Sequence, residues 1–103
     1  MSEAQQAIQN EPRILVVEDE LVFAKAVKKR LTKAGYQVVA SVDLASASAE
    51  LKAELPSLML LDMRLPDGSG LEFLSQLREQ YGSQLPVIVM TAFGDVEDAV
   101  TAM

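Results

Sequence analysis

The sequence contains no cysteine, no histidine and no tryptophan. Without cysteine, no disulfide staples the fold and no thiolate serves as nucleophile or metal ligand. Without histidine, imidazole is unavailable as a general base, as a metal ligand or as a phosphoryl donor. Aromatic residues make up only 5% of the chain, so a core has to be built from aliphatic side chains. No apolar run approaches the roughly 20 residues of a membrane-spanning helix. Cations are scarce: 9 Lys and Arg against 15 Asp and Glu leave a net charge of −6. That balance opposes direct nucleic-acid binding by this segment, since neutralising phosphates takes Lys and Arg. Met1 to Glu11 is polar and has no basic stretch followed by an apolar one, so it does not read as a secretory signal. These features lead to the expectation of a cytoplasmic protein, with residues 1–11 a flexible leader and residues 12–103 a single domain.

What is present is a globular composition, 50% hydrophobic over 103 residues, enough for one modest core. Apolar runs and helical periodicities alternate along the chain. Arg13 to Val17 reads as a first strand, and Glu20 to Ala34 as a helix with Phe23, Ala26, Val27, Arg30 and Leu31 at helical spacing, stopped by Gly35. Gln37 to Ala40 is a second strand. Asp43 or Ser41 caps a second helix whose inner positions are Leu44, Ala47, Leu51 and Leu55. Ser57 to Leu61 is a third strand, and the turn Leu65 to Gly70 leads into a helix with Leu71, Leu74 and Leu77 inward. Pro86 to Met90 is a fourth strand, after which Asp95 starts a further helix carrying Val96, Ala99, Val100 and Met103. Such alternation predicts a parallel sheet with helices on both faces. Val87-Ile88-Val89-Met90 would then be an uncharged edge strand of the kind that natural sheets protect. We therefore expect a domain incomplete at its C-terminus, whose fourth strand pairs with a second copy or exchanges elements with it.

The chemistry-bearing residues fall at one edge of that sheet. Glu18, Asp19 and Glu20 follow the first strand, Asp62 ends the third, and Thr91-Ala92 follows the fourth. Open α/β sheets place their sites at this carboxyl edge. The acids after the first strand also suit the positive end of the helix that follows. Gathered together, however, carboxylates repel by roughly 4 kcal/mol per pair at 4 Å with an effective dielectric near 20. A divalent cation removes that cost. An all-oxygen donor set favours Mg²⁺, with Ca²⁺ or Mn²⁺ as substitutes. One carboxylate beside such an ion can attack phosphorus to give an acyl phosphate. No Gly-rich loop follows the first strand, which argues against a nucleotide-binding domain.

Three segments in this order resemble the receiver domains of two-component response regulators: Ile14-Leu15-Val16-Val17-Glu18-Asp19-Glu20, the run Leu60-Leu61-Asp62-Met63-Arg64-Leu65-Pro66-Asp67-Gly68-Ser69-Gly70, and Pro86-Val87-Ile88-Val89-Met90-Thr91-Ala92. The resemblance implies a flavodoxin-like, doubly wound parallel sheet of strand order 2-1-3-4, with a fifth strand and fifth helix lacking. It implies Asp62 as phosphoacceptor and Glu18, Asp19, Asp62 and the Met63 backbone carbonyl as Mg²⁺ ligands. Thr91 matches the switch hydroxyl and Ala92 the small residue beside the phosphate. A sensor histidine kinase would be the phosphoryl donor, and an output domain would follow in the parent protein. The stretch from Thr91 to Met103 resembles regulators of sigma-54-dependent transcription. The family's lysine at the end of its fifth strand has no counterpart here, since Lys25, Lys28, Lys29, Lys33 and Lys52 all fall on the first two helices. The resemblance implies a signalling domain, not an enzyme. Two other functions compete with it: a Mg²⁺-dependent phosphatase with an aspartate nucleophile, and a vestigial receiver acting only as an interaction module. The phosphatase needs an acid two residues after the nucleophile, where this chain has Arg64.

Overall fold

Runs rich in aliphatic residues form the long strands, and Gly35, Gly82 and the Asp43 cap mark helix boundaries. The computed structural model describes residues 12–90. In chain order the elements are β1 (Arg13–Val17), α1 (Leu21–Lys33), β2 (Gln37–Ser41), α2 (Leu44–Ala53), β3 (Leu58–Asp62), β4 (Arg64–Leu65), β5 (Gly68–Ser69), α3 (Gly70–Tyr81), a 3₁₀ turn (Gly82–Gln84) and β6 (Val87–Met90). The leader 1–11, Thr91, Ala92 and the helix expected from Asp95 lie outside the described residues.

β1, β2, β3 and β6 form one sheet in the order β2-β1-β3-β6. All three pairings are parallel. With β6 as the fourth long strand this is the expected order 2-1-3-4. The register pairs Val17 with Ser41 on one side and with Leu61 on the other. Asp62 in turn pairs with Met90. The carboxyl ends of the strands are therefore level, and whatever follows them shares one edge.

The main core lies on one face of the sheet. There Leu15, Val17, Met59, Leu61, Val87 and Val89 pack with Ala47 and Leu51 of α2 and with Phe73, Leu74 and Leu77 of α3. Side chains alternate along a strand, so Ile14 and Val16, also buried, point to the other face. That face carries α1, which packs along β1 and β2.

Several inward positions differ from the periodicity. The buried residue of α1 is Ala24, while Phe23 is 44% exposed. In α3 Phe73 is buried and Leu71 is 41% exposed. Leu55 lies beyond the end of α2 and is exposed. For Phe23 and Leu71 the apolar spacing fits two adjacent helix stripes, and only the packing of helix on sheet selects one of them. The expected turn from Leu65 to Gly70 is also more ordered than a turn. Arg64 pairs with Ser69 and Leu65 with Gly68, making a small antiparallel ribbon with Pro66 and Asp67 at its tip.

Candidate metal and phosphoacceptor site

β1 ends in Val17 and β3 in Asp62, and their register sets Glu18 beside Asp62. Ser41 at the end of β2 accepts the Glu18 N–H at 2.9 Å, which continues the ladder by one residue and holds Glu18 in place. Glu18, Asp19 and Asp62 each present a carboxylate oxygen, and these oxygens all lie within 4.8 Å of one another. Glu18 is buried at 5% exposure, Asp62 is half-buried and Asp19 is exposed.

The alternative use of these acids, as anions at the start of α1, finds little support in the geometry. Glu20 occupies the N-cap position without a side-chain capping bond, and the first turn of α1 contains no acid. Glu18 Oε2 is buried with no hydrogen-bond partner. A buried carboxylate oxygen without a partner is costly. Burial, followed by the neighbouring Asp62 carboxyl and the charges of Asp19 and Glu20, pushes the Glu18 pKa up to about 8. The donor set is entirely oxygen, three acidic groups share it, and it includes a buried oxygen without a partner. It therefore fits a hard divalent cation.

Met63, the other expected ligand, follows Asp62 directly. Its carbonyl accepts the Gly70 N–H at 2.8 Å, and a carbonyl oxygen has a second lone pair for a metal. Gly70 is needed here: a Cβ at this position would run into the Asp62 backbone carbonyl and come within 3.0 Å of Met63 Cα. The structure thus brings together the carboxylates of Glu18, Asp19 and Asp62, with Met63 next in the chain, while Thr91 and Ala92 lie outside the described residues.

Sequence reasoning passed over one residue at this edge. Asp67, at the ribbon tip, reaches α2 and accepts the N–H groups of Leu44 at 2.8 Å and Ala45 at 3.0 Å. Within Pro66-Asp67-Gly68 it reads as a turn residue, and no local signal points to a helix that begins 23 residues earlier.

An open parallel α/β sheet with acids gathered at its carboxyl edge is a fold and site shared by phosphoacceptor domains. The chain belongs to the response regulator receiver domain family, which it matches over residues 14–103. It is 42% identical over 92 residues to the phosphate regulon transcriptional regulatory protein PhoB of Escherichia coli, covering 88% of this chain and 40% of PhoB. The structure of NtrX from Brucella abortus is similar with a TM-score of 0.80 at 31% identity, over 89% of this chain and 21% of NtrX. A response regulator protein from Burkholderia pseudomallei, solved with a phosphorylated aspartic acid, a calcium ion and citrate, is similar with a TM-score of 0.76 at 26% identity, over 89% of this chain and 54% of that one. The chain spans about two fifths of the length of the curated relatives it matches. No helix among the described residues is long and apolar enough to cross a membrane.

Proposed function

We propose that Asp62 accepts a phosphoryl group from the phosphohistidine of a partner sensor kinase, with Mg²⁺ held in the acidic cluster, and that the change is read by an output domain of the parent protein. The observation that carries this reading is the convergence of Glu18, Asp19 and Asp62, together with a buried Glu18 oxygen that has no partner. Glu18, Asp19, Asp62 and the Met63 carbonyl would hold the ion. When bound, Mg²⁺ supplies the positive charge that lets an anionic phosphoryl group approach an anionic carboxylate.

The remaining chemistry belongs to the chain. An Asp62 carboxylate oxygen attacks phosphorus, and a P–O bond forms as the P–N bond to the donor imidazole breaks. The electron pair leaves with the imidazole nitrogen, which takes up a proton. Glu18 must be ionised to act as a ligand, so its proton departs as the ion enters. Thr91 would hydrogen-bond a phosphoryl oxygen, and Ala92 would leave room beside it. The phosphorylated aspartic acid and calcium ion of the Burkholderia pseudomallei protein support this assignment of site and donor set. The transcriptional regulators among the relatives support a transcriptional output.

The test is intact mass after treatment with acetyl phosphate, with and without Mg²⁺, on this chain and on Asp62→Asn. A Mg²⁺-dependent phosphoryl adduct that disappears in Asp62→Asn is the expected result. An adduct that persists in Asp62→Asn would sink the assignment of the acceptor. No adduct, together with a thermal midpoint indifferent to Mg²⁺, would favour the vestigial interaction module. Enzymatic turnover of p-nitrophenyl phosphate would favour the phosphatase.

A further inference from the structure

We propose that Asp67 is a positioning residue for the phosphoacceptor loop, tying the segment that presents Asp62 and the Met63 carbonyl to the first turn of α2. The proposal rests on the reading of Asp62 as the phosphoacceptor.

The first N–H groups of any α-helix lack partners within the helix. α2 already has a local solution: Asp43 is its N-cap and accepts the Ser46 N–H at 2.8 Å. Asp67 adds a second acid from a remote loop. Its two oxygens take the Leu44 and Ala45 N–H groups separately, at 2.8 and 3.0 Å. The helix start is thus closed by its own loop and again by the loop after β3.

The second closure matters because of what the ribbon carries. Pairs of two residues, Arg64–Leu65 with Gly68–Ser69, are too short to be stable alone. Most of the ribbon is open to solvent. One end of it is the phosphoacceptor itself, where Gly70 donates to the Met63 carbonyl and packs against the Asp62 backbone. The other end is the tip, where Asp67 is anchored on α2. Leu44, whose N–H Asp67 accepts, also lies under Gly68, where an added Cβ would meet Leu44 Cδ1 at 2.9 Å. Tip and base are both tied down, so the strand end holding Asp62 and the Met63 carbonyl is stiffened from two directions. Reacting groups must be held close to their productive geometry, and small displacements cost large factors in rate. A tether of this kind acts on the reaction through Asp62 and Met63 without touching the phosphoryl group.

The experiment compares the full chain with Asp67→Ala, Asp67→Asn and Asp43→Ala. It reads the rate of adduct formation with acetyl phosphate, the Mg²⁺ concentration for half-maximal rate, and the thermal midpoint. Asp43→Ala removes a cap from the same helix without touching the phosphoacceptor loop, so it should lower the midpoint and leave the rate within about twofold of wild type. Asp67→Ala should slow the adduct by about tenfold and raise the Mg²⁺ requirement. Asp67→Asn keeps one acceptor oxygen and should recover part of the rate. A wild-type rate in Asp67→Ala overturns the proposal while leaving the phosphoacceptor reading intact. Equal slowing in Asp43→Ala also overturns it, because helix stability alone would then explain the effect. Absence of any adduct on the wild-type chain overturns both.

Discussion

The two ends of β1 sit in opposite electrostatic states. At its amino end Arg13 contacts Glu50 Oε2 at 2.9 Å and donates to the Glu54 backbone carbonyl at 2.7 Å. The Glu54 carboxylate lies farther off, at 3.7 Å from Arg13 Nε. The carboxylates there have a cation partner, and the contacts pin the start of β1 to the end of α2. At the carboxyl end, five residues on, Glu18 meets Asp19 and Asp62, with a buried oxygen left unpartnered. The matched end is what a fold needs to stay together. The unmatched end costs stability until something positive arrives, and an arrangement of that kind marks a site of function.

The sharpest way to break this contrast is at Gly70. Gly70→Ala forces a methyl group into the Asp62 carbonyl. It should cost about 3 kcal/mol, at the upper end of overpacking penalties, because backbone yields less readily than a side chain. Urea denaturation measures this. A loss under about 1 kcal/mol would mean that the loop holding Asp62 is looser than the structure shows.

Asp62→Asn should move stability the other way. It removes one charge from the cluster, and the metal-free protein should gain about 1–2 kcal/mol. That is less than the roughly 4 kcal/mol of a bare pair at 4 Å, since Glu18 is mostly protonated at neutral pH. Mg²⁺ should raise the thermal midpoint of the wild type, as any ligand of the native state does, and should raise that of Asp62→Asn less. Without a gain in metal-free stability, the carboxylates are not crowded.

Acidity sharpens the same contrast. The folded-state pKa of Glu18 is raised from 4.5 to about 8. Between those values the folded protein binds more protons than the unfolded chain. The stability this group contributes is therefore full below the lower value and is lost as pH rises through the upper one. There is no histidine to obscure the window. In a chelator, stability should fall from pH 6 to pH 8 by no more than about 1.4 kcal/mol per pH unit, read as a falling thermal midpoint. The slope should vanish in Glu18→Gln, and Mg²⁺ affinity should rise across the same range. A midpoint that is flat or rising in the wild type contradicts the burial of an ionisable Glu18.

The smallest effect belongs to the matched end. Arg13→Ala should cost about 1 kcal/mol, because its partners keep access to water and surface ion pairs contribute little. Adduct formation at Asp62 should be unaffected. Slowed phosphorylation in Arg13→Ala would show that the two ends of β1 are not independent.

Much of the architecture is legible in local pattern. The runs Ile14 to Val17 and Leu58 to Leu61 are apolar throughout, as strands buried on both faces are. Gly35 and Gly82 stand where helices stop, both with positive φ. Asp43 caps α2 as its place before Leu44 suggests, and hydrogen bonds from Ser46 hold its pKa low. The inward faces of the helices are less legible. Phe23 and Leu71 carry the apolar weight expected of core residues, yet Ala24 and Phe73 are the buried ones. The choice depends on how each helix rolls against the sheet, and side-chain volume in the facing layer decides that.

By itself, the sequence determined the alternation of strands and helices, the acids at strand ends and the lack of any cysteine or histidine ligand. These follow from short-range preferences of backbone and side chain. Only the tertiary structure decided that Glu18, Asp19 and Asp62 converge within 4.8 Å, that one Glu18 oxygen is sealed without a partner, and that Asp67 closes a helix far from it in the chain. Those features depend on the register between β1 and β3 and on how α2 packs over the ribbon. A one-residue slip of β3 against β1 would turn Asp62 to the other face of the sheet, away from Glu18.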